Sequence, residues 1–306
     1  MIRKLLLFAI VAAVVGLAVF WFVTIPSTVA ATALGAHQVN AENGRAMFYA
    51  SGCASCHATP GQDDKLQLGG GLGLHSPFGT FYAPNISSDP TDGIGNWTEQ
   101  QFVNAMLKGT TPQGSHYFPA FPYTSYRLMT VADVRDLYAH MKTLPAVKGR
   151  APDHDVPFPF NLRRPLGGWK MLFFDDTPFT PDPNQSAEWN RGAYLVNGPG
   201  HCAECHSPRN LLGGINSAQR LAGGPNPEGK GWVPNITQAG LKDWEVDDIE
   251  YLLEAGMTPE GDFVGSNMAP VIHNTSQLSK EDRKAMAVYL KSLPAVEGPA
   301  RPQRKQ

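Results

Sequence analysis

Two short segments contain every cysteine of this 306-residue chain. They read C-A-S-C-H at 53–57 and C-A-E-C-H at 202–206, so a histidine directly follows the second cysteine of each pair. This spacing is typical of a c-type haem attachment site, in which each thiol adds to a haem vinyl group and the histidine supplies a ring nitrogen to the iron. The sequence therefore predicts two covalently bound haem c groups. The predicted residues are Cys53, Cys56, Cys202 and Cys205 for attachment, and His57 and His206 as axial iron ligands.

Two other uses of four cysteines fit this sequence less well. A disulfide scaffold usually has more cysteines in a shorter chain, and C-x-x-C pairs form disulfides mainly in redox enzymes. A shared structural zinc site would leave unexplained the wide separation of the pairs and the histidine after each. The net charge of −2 and the 17% of charged residues do not favour nucleic acid as a partner.

The N-terminal segment predicts a membrane anchor over residues 1–30. Arg3 and Lys4 precede an apolar run from Leu5 to Ile25, which as a helix would span about 31 Å, enough for a bilayer core of about 30 Å. The leading positive charges place the start of the chain in the cytoplasm. A signal peptide cleaved near the A-T-A segment at 31–33 is the alternative. Both hypotheses put the remaining chain outside the cytoplasm, where bacteria attach haem c.

An internal repeat organises the remaining sequence into two copies. The matching segments are P-N-I-S at 84–87 with P-N-I-T at 234–237, Trp97 with Trp244, G-T-T-P-Q-G at 109–114 with G-M-T-P-E-G at 256–261, and a closing L-P-A-V in each copy. A repeat this long indicates duplicated domains rather than a solenoid. The predicted division is a first haem domain at 38–147, a Pro- and aromatic-rich strap at 148–185 packed across both domains, a second haem domain at 186–297 and a tail at 298–306.

Each copy is expected to begin and end with a helix. Thr130 and Ser279 are the predicted N-caps of the closing helices, because each precedes an apolar pattern of helical spacing. Gly44 and Gly192 lie in the opening helices, where a missing side chain would let the closing helix cross closely. That crossing is the hallmark of the class I cytochrome c fold. The predicted fold class is therefore all-α, with two tandem class I cytochrome c domains after an N-terminal transmembrane helix.

The two halves differ at the sixth iron ligand. Met268 lies about ten residues before the last helix, where a class I cytochrome places its thioether ligand, and such a His/Met pair raises the reduction potential. Met257 competes for this role. Alignment of the glycines at 109 and 256 sets Phe121 opposite Met268, and phenylalanine cannot bind iron. For the first haem, His116 is the tentative sixth ligand, Met129 is the alternative, and an open five-coordinate iron is the third option.

The sequence resembles the cytochrome c subunits of membrane-bound bacterial alcohol dehydrogenases and related periplasmic dehydrogenases. The segments that carry the resemblance are P-A-F-P-Y-T-S-Y at 119–126, R-G-A-Y-L at 191–195, G-H-C-A-E-C-H-S-P-R-N at 200–210 and Y-L-K-S-L-P at 289–294. There are two departures. The alcohol dehydrogenase subunits carry three haems rather than two, and they place methionine where Phe121 stands.

The resemblance implies a membrane-anchored electron carrier of the bacterial inner membrane, with its haem domains facing the periplasm. Its electrons would come from a periplasmic dehydrogenase with a quinoprotein, flavin or molybdopterin cofactor, and would leave to membrane quinone, a soluble cytochrome or an oxidase. The chain would then be a non-catalytic subunit of an oxidoreductase complex. The alternative is a dihaem enzyme resembling a peroxidase or thiosulfate dehydrogenase, with an open or displaceable ligand at the first haem and His75 as the nearest candidate base.

Overall fold

The computed structural model describes residues 1–229 and 231–301, so residues 302–306 of the predicted tail lie outside the described part. Most of its regular structure is helical. The helices are α1 (Ile2–Val23), α2 (Ala41–Ala50), α3 (Cys53–His57), α4 (Glu99–Lys108), α5 (Tyr123–Tyr126), α6 (Val131–Met141), α7 (Leu166–Phe173), α8 (Ala187–Asn197), α9 (Ala203–His206), α10 (Gln238–Leu241), α11 (Val246–Ala255), α12 (Met268–Thr275) and α13 (Lys280–Ser292). The strands are β1 (Gly73–Ser76), β2 (Gly79–Tyr82), β3 (Gly224–Pro225) and β4 (Trp232–Val233).

The strands add two small antiparallel hairpins to the expected helical architecture. β1 pairs with β2 from Gly73 opposite Tyr82 to Ser76 opposite Gly79, and β3 pairs with β4 in the corresponding part of the second copy. Both hairpins follow a haem motif and lie in Gly-rich sequence, where strand propensity is low. Helices form both domain cores, so the expectation of helical domains holds, but the description all-α leaves out these hairpins.

The first and last helices of each domain cross at a glycine. In the first domain α2 packs against α6, and a Cβ atom on Gly44 would lie 2.3 Å from the carbonyl oxygen of Asp136. In the second domain α8 packs against α13, and a Cβ atom on Gly192 would lie 1.9 Å from the carbonyl oxygen of Ala285. Neither site has room for a side chain, which confirms the predicted close crossing.

The closing helices begin at the predicted caps. The Thr130 hydroxyl accepts a hydrogen bond from the amide of Asp133 at 3.0 Å, and the Ser279 hydroxyl accepts one from the amide of Asp282 at 3.1 Å. Each bond satisfies an amide that the first turn of a helix leaves without an intrahelical partner. Both predicted caps are confirmed.

Residues 148–185 contact both haem domains. Asp155 exchanges two backbone hydrogen bonds with Thr80, at 2.8 and 2.9 Å, on the outer side of the first hairpin. In α7, the Lys170 ammonium donates to the carbonyl oxygens of Lys108, at 2.6 Å, and Gly109, at 2.9 Å, and so satisfies the C-terminal end of α4. The Trp169 indole donates to the carbonyl of Leu212, in the second domain, at 2.9 Å.

The C-terminal end of α1 is bound to the folded domain. α1 itself buries no residue, but Thr24, which follows it, is 1% exposed. The ring nitrogen Nε2 of His116 donates to the carbonyl of Thr24 at 2.9 Å, and the Arg164 guanidinium donates to the carbonyl of Trp21. Side chains of the first domain and the strap therefore satisfy carbonyls at the end of this helix.

Candidate haem sites

Each haem motif forms a short helix that follows a left-handed residue. Gly52, with φ of 59°, precedes α3, and His201, with φ of 37°, stands at the same place before the second motif. One helical turn brings the two cysteines of a motif to the same side, because residues three apart are neighbours on a helix. Glycine adopts this backbone region without steric cost, whereas histidine adopts it at a steric cost.

The histidine of each motif is oriented by a proline carbonyl. Nδ1 of His57 donates to the carbonyl of Pro84 at 2.8 Å, and Nδ1 of His206 donates to the carbonyl of Pro234 at 2.9 Å. This bond fixes the tautomer and leaves Nε2 as the basic nitrogen, the usual arrangement of a metal-binding histidine. Burial lowers the pKa of both imidazoles, which favours the neutral ring that iron requires. The repeated P-N-I segments thus orient the imidazoles of the two motifs, and their role as axial iron ligands stays a prediction.

The cysteines fit covalent attachment better than dithiol redox chemistry. Burial raises the pKa of the Cys53 thiol to about 12 and that of the Cys56 thiol to about 11. A reactive C-x-x-C dithiol has a lowered thiol pKa instead. Over residues 1–229 and 231–301, the structure contains no group of three or more His, Cys, Asp or Glu side chains suited to a metal ion. Two thiols beside an oriented imidazole fit haem c in each domain.

The two motifs meet at the interface between the domains, and the contact is reciprocal. Glu204 of the second motif accepts hydrogen bonds from the hydroxyls of Thr124, at 2.8 Å, and Ser125, at 2.9 Å, on α5 of the first domain. Ser55, the equivalent residue of the first motif, accepts a hydrogen bond from the Asn274 amide, on α12 of the second domain, at 2.8 Å. Each motif is therefore held by a helix of the opposite domain.

Arg209 keeps the Glu204 carboxylate ionised. Its guanidinium lies 2.6 Å from the second carboxylate oxygen of Glu204. Burial alone would raise the pKa of Glu204, but the Arg209 charge and the donated hydrogen bonds lower it below the usual range. A buried carboxylate with this many partners makes strong, charge-assisted hydrogen bonds across the domain interface.

His201 forms a second link between the motifs. Its Nε2 donates to the carbonyl of Ser51, just before the first motif, at 3.3 Å. The same carbonyl accepts the hydroxyl of Tyr126 at 2.9 Å, and the rings of Tyr126 and His201 lie edge to face at 5.5 Å between centroids. The sequence signal that could have identified His201 is its position opposite Gly52.

The predicted sixth ligand of the second haem lies at the start of a helix. Met268 is the first residue of α12 and is half-buried. The competitor Met257 pairs its backbone with Phe263. In the first domain, the ring of Phe121 contacts those of Tyr117, at 5.4 Å, and Tyr126, at 5.6 Å. The assignment of Met268 stays a prediction.

The two candidates for the first haem have different surroundings. His116 is 3% exposed, its Nε2 is occupied by the carbonyl of Thr24, and its Nδ1 has no hydrogen-bond partner. Iron binding through Nε2 would therefore require the ring to leave Thr24. Met129 is 4% exposed and belongs to the apolar core, and its amide donates to the carbonyl of Tyr126 at 2.8 Å. Both assignments stay predictions.

These features define a protein with two haem c domains. The sequence profile of the cytochrome c family matches residues 41–145 and 190–294, the regions that contain the two motifs. The chain belongs to the cytochrome c family, and it carries two covalently bound haem c groups.

Several characterised bacterial proteins are similar to this chain. It is 50% identical, over 84% of its length, to a protein of Cereibacter sphaeroides named diheme cytochrome c-type, and the match covers 87% of that protein. It is 37% identical to the fructose dehydrogenase cytochrome subunit of Gluconobacter japonicus over 86% of its own length and 54% of that subunit. It is 36% identical to the cytochrome c subunit of a quinone-dependent alcohol dehydrogenase of Gluconobacter oxydans, over 87% and 57% of the two chains. The chain therefore spans about half the length of the two dehydrogenase subunits.

Proposed function

We propose that this protein is a membrane-anchored dihaem cytochrome that carries electrons from a periplasmic dehydrogenase to a quinone, soluble cytochrome or oxidase. The observation that carries the proposal is the reciprocal interface, in which each motif is held by the opposite domain. The bound haem groups supply the redox chemistry, and the protein sets their separation and environment. Glu204, Ser55 and His201 hold the two attachment sites against each other, as a carrier with an entry and an exit requires.

A dehydrogenase partner is supported by the relatives. The similar subunits are named for fructose, alcohol and gluconate dehydrogenases, so the shared feature is a cytochrome that serves a dehydrogenase rather than one substrate. Because the chain covers only part of those subunits, the identity of its dehydrogenase is left to experiment.

The anchor is supported by α1 and its contacts. Among the described residues, α1 is the one helix long and apolar enough to cross a membrane, with a mean hydropathy of 2.8. Beyond it, the hydroxyl of Thr110 donates to the carbonyl of Ser27 at 2.7 Å, and Val29 donates to Asn104 at 2.8 Å. Ser27 and Val29, close to the A-T-A segment where a signal peptidase would cut, are thus hydrogen-bonded to the first domain. We infer retention of α1 in the inner membrane, with the haem domains in the periplasm.

The relay is tested by following how the reduced protein is oxidised. Full-chain holoprotein is reduced and mixed in a stopped-flow instrument with a soluble c-type cytochrome, a short-chain quinone, hydrogen peroxide, or tetrathionate as the oxidised partner of thiosulfate. We expect rapid oxidation by the cytochrome or the quinone and, with excess reductant present, no catalytic reduction of peroxide or tetrathionate. Sustained reduction of peroxide to water, or of tetrathionate to thiosulfate, at the expense of that reductant would replace the relay with the dihaem enzyme.

The iron ligands are tested by low-temperature EPR of the oxidised protein. We propose His57 at the first haem and His206 with Met268 at the second, and either His116 or Met129 as the remaining ligand. Two low-spin signals are expected in the parent protein. Conversion of one of them to high spin by His116→Ala, but not by Met129→Leu, would assign His116; the opposite result would assign Met129. A high-spin signal in the parent protein would mean that the first site is open.

A further inference from the structure

The strap helix α7 lies at the depth of the last turn of α1. A Cβ atom on Gly168 would be 3.4 Å from the ring of Phe20, and the guanidinium of Arg164 stacks 4.0 Å from the ring centroid of Trp21. The neighbouring residue Gly167 packs against Thr24. If α1 crosses a bilayer, its last turn lies at the lipid interface, and α7 lies there as well.

The face of α7 turned away from the protein is apolar. Gly167 and Lys170 are buried against α1 and the first domain, whereas Met171 is 66% exposed and Leu172 is 68% exposed. The chain thus leaves most of the surface of these two adjacent apolar side chains uncovered, although Gly167 and Lys170 of the same helix are buried.

Neighbouring residues extend this apolar face. The indole of Trp169 binds the loop that carries Leu211, which is 97% exposed, and Leu212. The ring of Phe78 contacts Gly213 of that loop and also the ring of Phe160, whose centroid lies 5.2 Å away. We define the strap surface as Phe160, Met171, Leu172, Leu211 and Leu212, all of which are exposed.

The polar residues beside the strap surface suit a lipid interface. Trp21 is an aromatic residue at the end of a membrane-spanning segment, where tryptophan is enriched, and Arg164 stacks on it with its charge near the headgroups. Cationic side chains next to apolar ones are the combination that binds the surface of an anionic bilayer. Because the strap surface would face the lipid, a soluble protein partner could reach it only by entering the membrane interface.

We propose that the strap surface inserts into the periplasmic leaflet of the membrane, so that α1 and α7 hold the haem domains in one orientation against the lipid. This inference rests on the proposed anchor, because the depth of α7 is set by its contacts with α1. A two-point attachment fixes which side of the protein faces the membrane, which a single spanning helix does not.

The proposal is tested by the reactivity of introduced cysteines in full-chain holoprotein. All four native cysteines are consumed by haem attachment, so one new cysteine is the only free thiol. Leu172→Cys and Leu211→Cys probe the strap surface, Val14→Cys probes the middle of α1, and Lys284→Cys on α13 is the exposed control. Each variant is reconstituted in nanodiscs of phosphatidylcholine and phosphatidylglycerol and treated with a charged, water-soluble maleimide.

We expect the cysteines at 172 and 211 to react at least about tenfold more slowly than the control, because the thiolate is the reactive form and lipid suppresses ionisation. Protection at both positions cannot come from the protein, since both native side chains are exposed. Control-like rates at 172 and 211, with the cysteine at 14 still protected, would overturn the strap insertion and leave the anchor intact. A reactive cysteine at 14, or its loss from the mature protein by intact mass, would overturn the anchor and the insertion together.

Discussion

At the scale of single residues, His201 is the clearest departure of one domain from the other. It takes the left-handed backbone that Gly52 takes in the first motif, and this costs a non-glycine residue about 1 kcal/mol. Contacts of its ring with Ser51 and Tyr126 offset that cost. Residues held in such backbone regions often serve function. At His201 the strained residue also links the second haem motif to Ser51, just before the first motif.

The variant His201→Gly should keep both haems and slow electron equilibration between them. Glycine removes the backbone strain while the ring contacts are lost, so the free energy of unfolding should change by no more than about 1 kcal/mol. Loss of the link to Ser51 should weaken the contact between the motifs. Laser-flash reduction followed by absorbance of the two haems measures the equilibration rate, and chemical denaturation measures stability.

A second variant, His201→Asn, also removes the ring but keeps a side chain that tolerates the left-handed region. It should slow equilibration as His201→Gly does. Parent-like rates in both variants would reduce His201 to a packing residue.

At the scale of elements, the glycine crossings bring the first and last helices of each domain into close backbone contact. Gly192→Ala would place a Cβ atom 1.9 Å from the carbonyl oxygen of Ala285, so α8 and α13 would have to separate. We expect the free energy of unfolding to fall by about 1–3 kcal/mol or more, the range seen for overpacked cores. Urea denaturation monitored by the second haem measures this. Gly35→Ala is the control, since nothing lies within 4 Å of its added Cβ, and equal losses in both variants would contradict the crossing argument.

The attachment of α7 to α4 should depend on pH. Burial lowers the pKa of Lys170 from its ordinary 10.5 to about 8. Between these two values the unfolded chain binds more protons than the folded one, so the free energy of unfolding rises with pH. Relative to Lys170→Met, the parent protein should therefore gain about 2–3 kcal/mol between pH 8 and 10.5, with a nearly constant difference below about pH 7.

The measurement for Lys170 is denaturation of both proteins at pH 7, 8, 9 and 10.5. Pairing the two proteins at each pH cancels changes at the haem sites, which they share. A stability difference independent of pH would mean that Lys170 keeps its charge throughout this range.

How far the sequence predicts an element depends on the range of the interactions that form it. The caps Thr130 and Ser279 and the crossing glycines could be predicted because a cap and a helical period are local patterns. The haem motifs are equally local. The hairpins were missed because their strands are short and rich in glycine. The Glu204 contacts were missed because their partners are about 80 residues away in the chain, and no local pattern indicates which surfaces of two domains meet.

At the scale of the whole molecule, the domain interface joins polar groups of both domains at the haem motifs. Glu204 accepts hydrogen bonds from the hydroxyls of Thr124 and Ser125 in the first domain. Its ion pair with Arg209 lies within the second domain. Removal of the hydroxyls therefore weakens the interface without leaving a buried charge unpaired. This separates the coupling of the domains from the stability of either one.

The double variant Thr124→Val with Ser125→Ala should uncouple the domains. Hydrogen bonds to a charged group contribute about 1.5–3 kcal/mol each, so a single cooperative unfolding transition should divide into two, with the second domain unfolding separately. Differential scanning calorimetry resolves the transitions, and haem absorbance assigns them. Asn274→Ala, which removes one neutral bond across the interface and one to Pro270 within the second domain, should have a smaller effect on the coupling, and the exposed Thr91→Val should have none. One unchanged transition in the double variant would mean that the strap, which contacts both domains through Lys170 and Trp169, couples them instead.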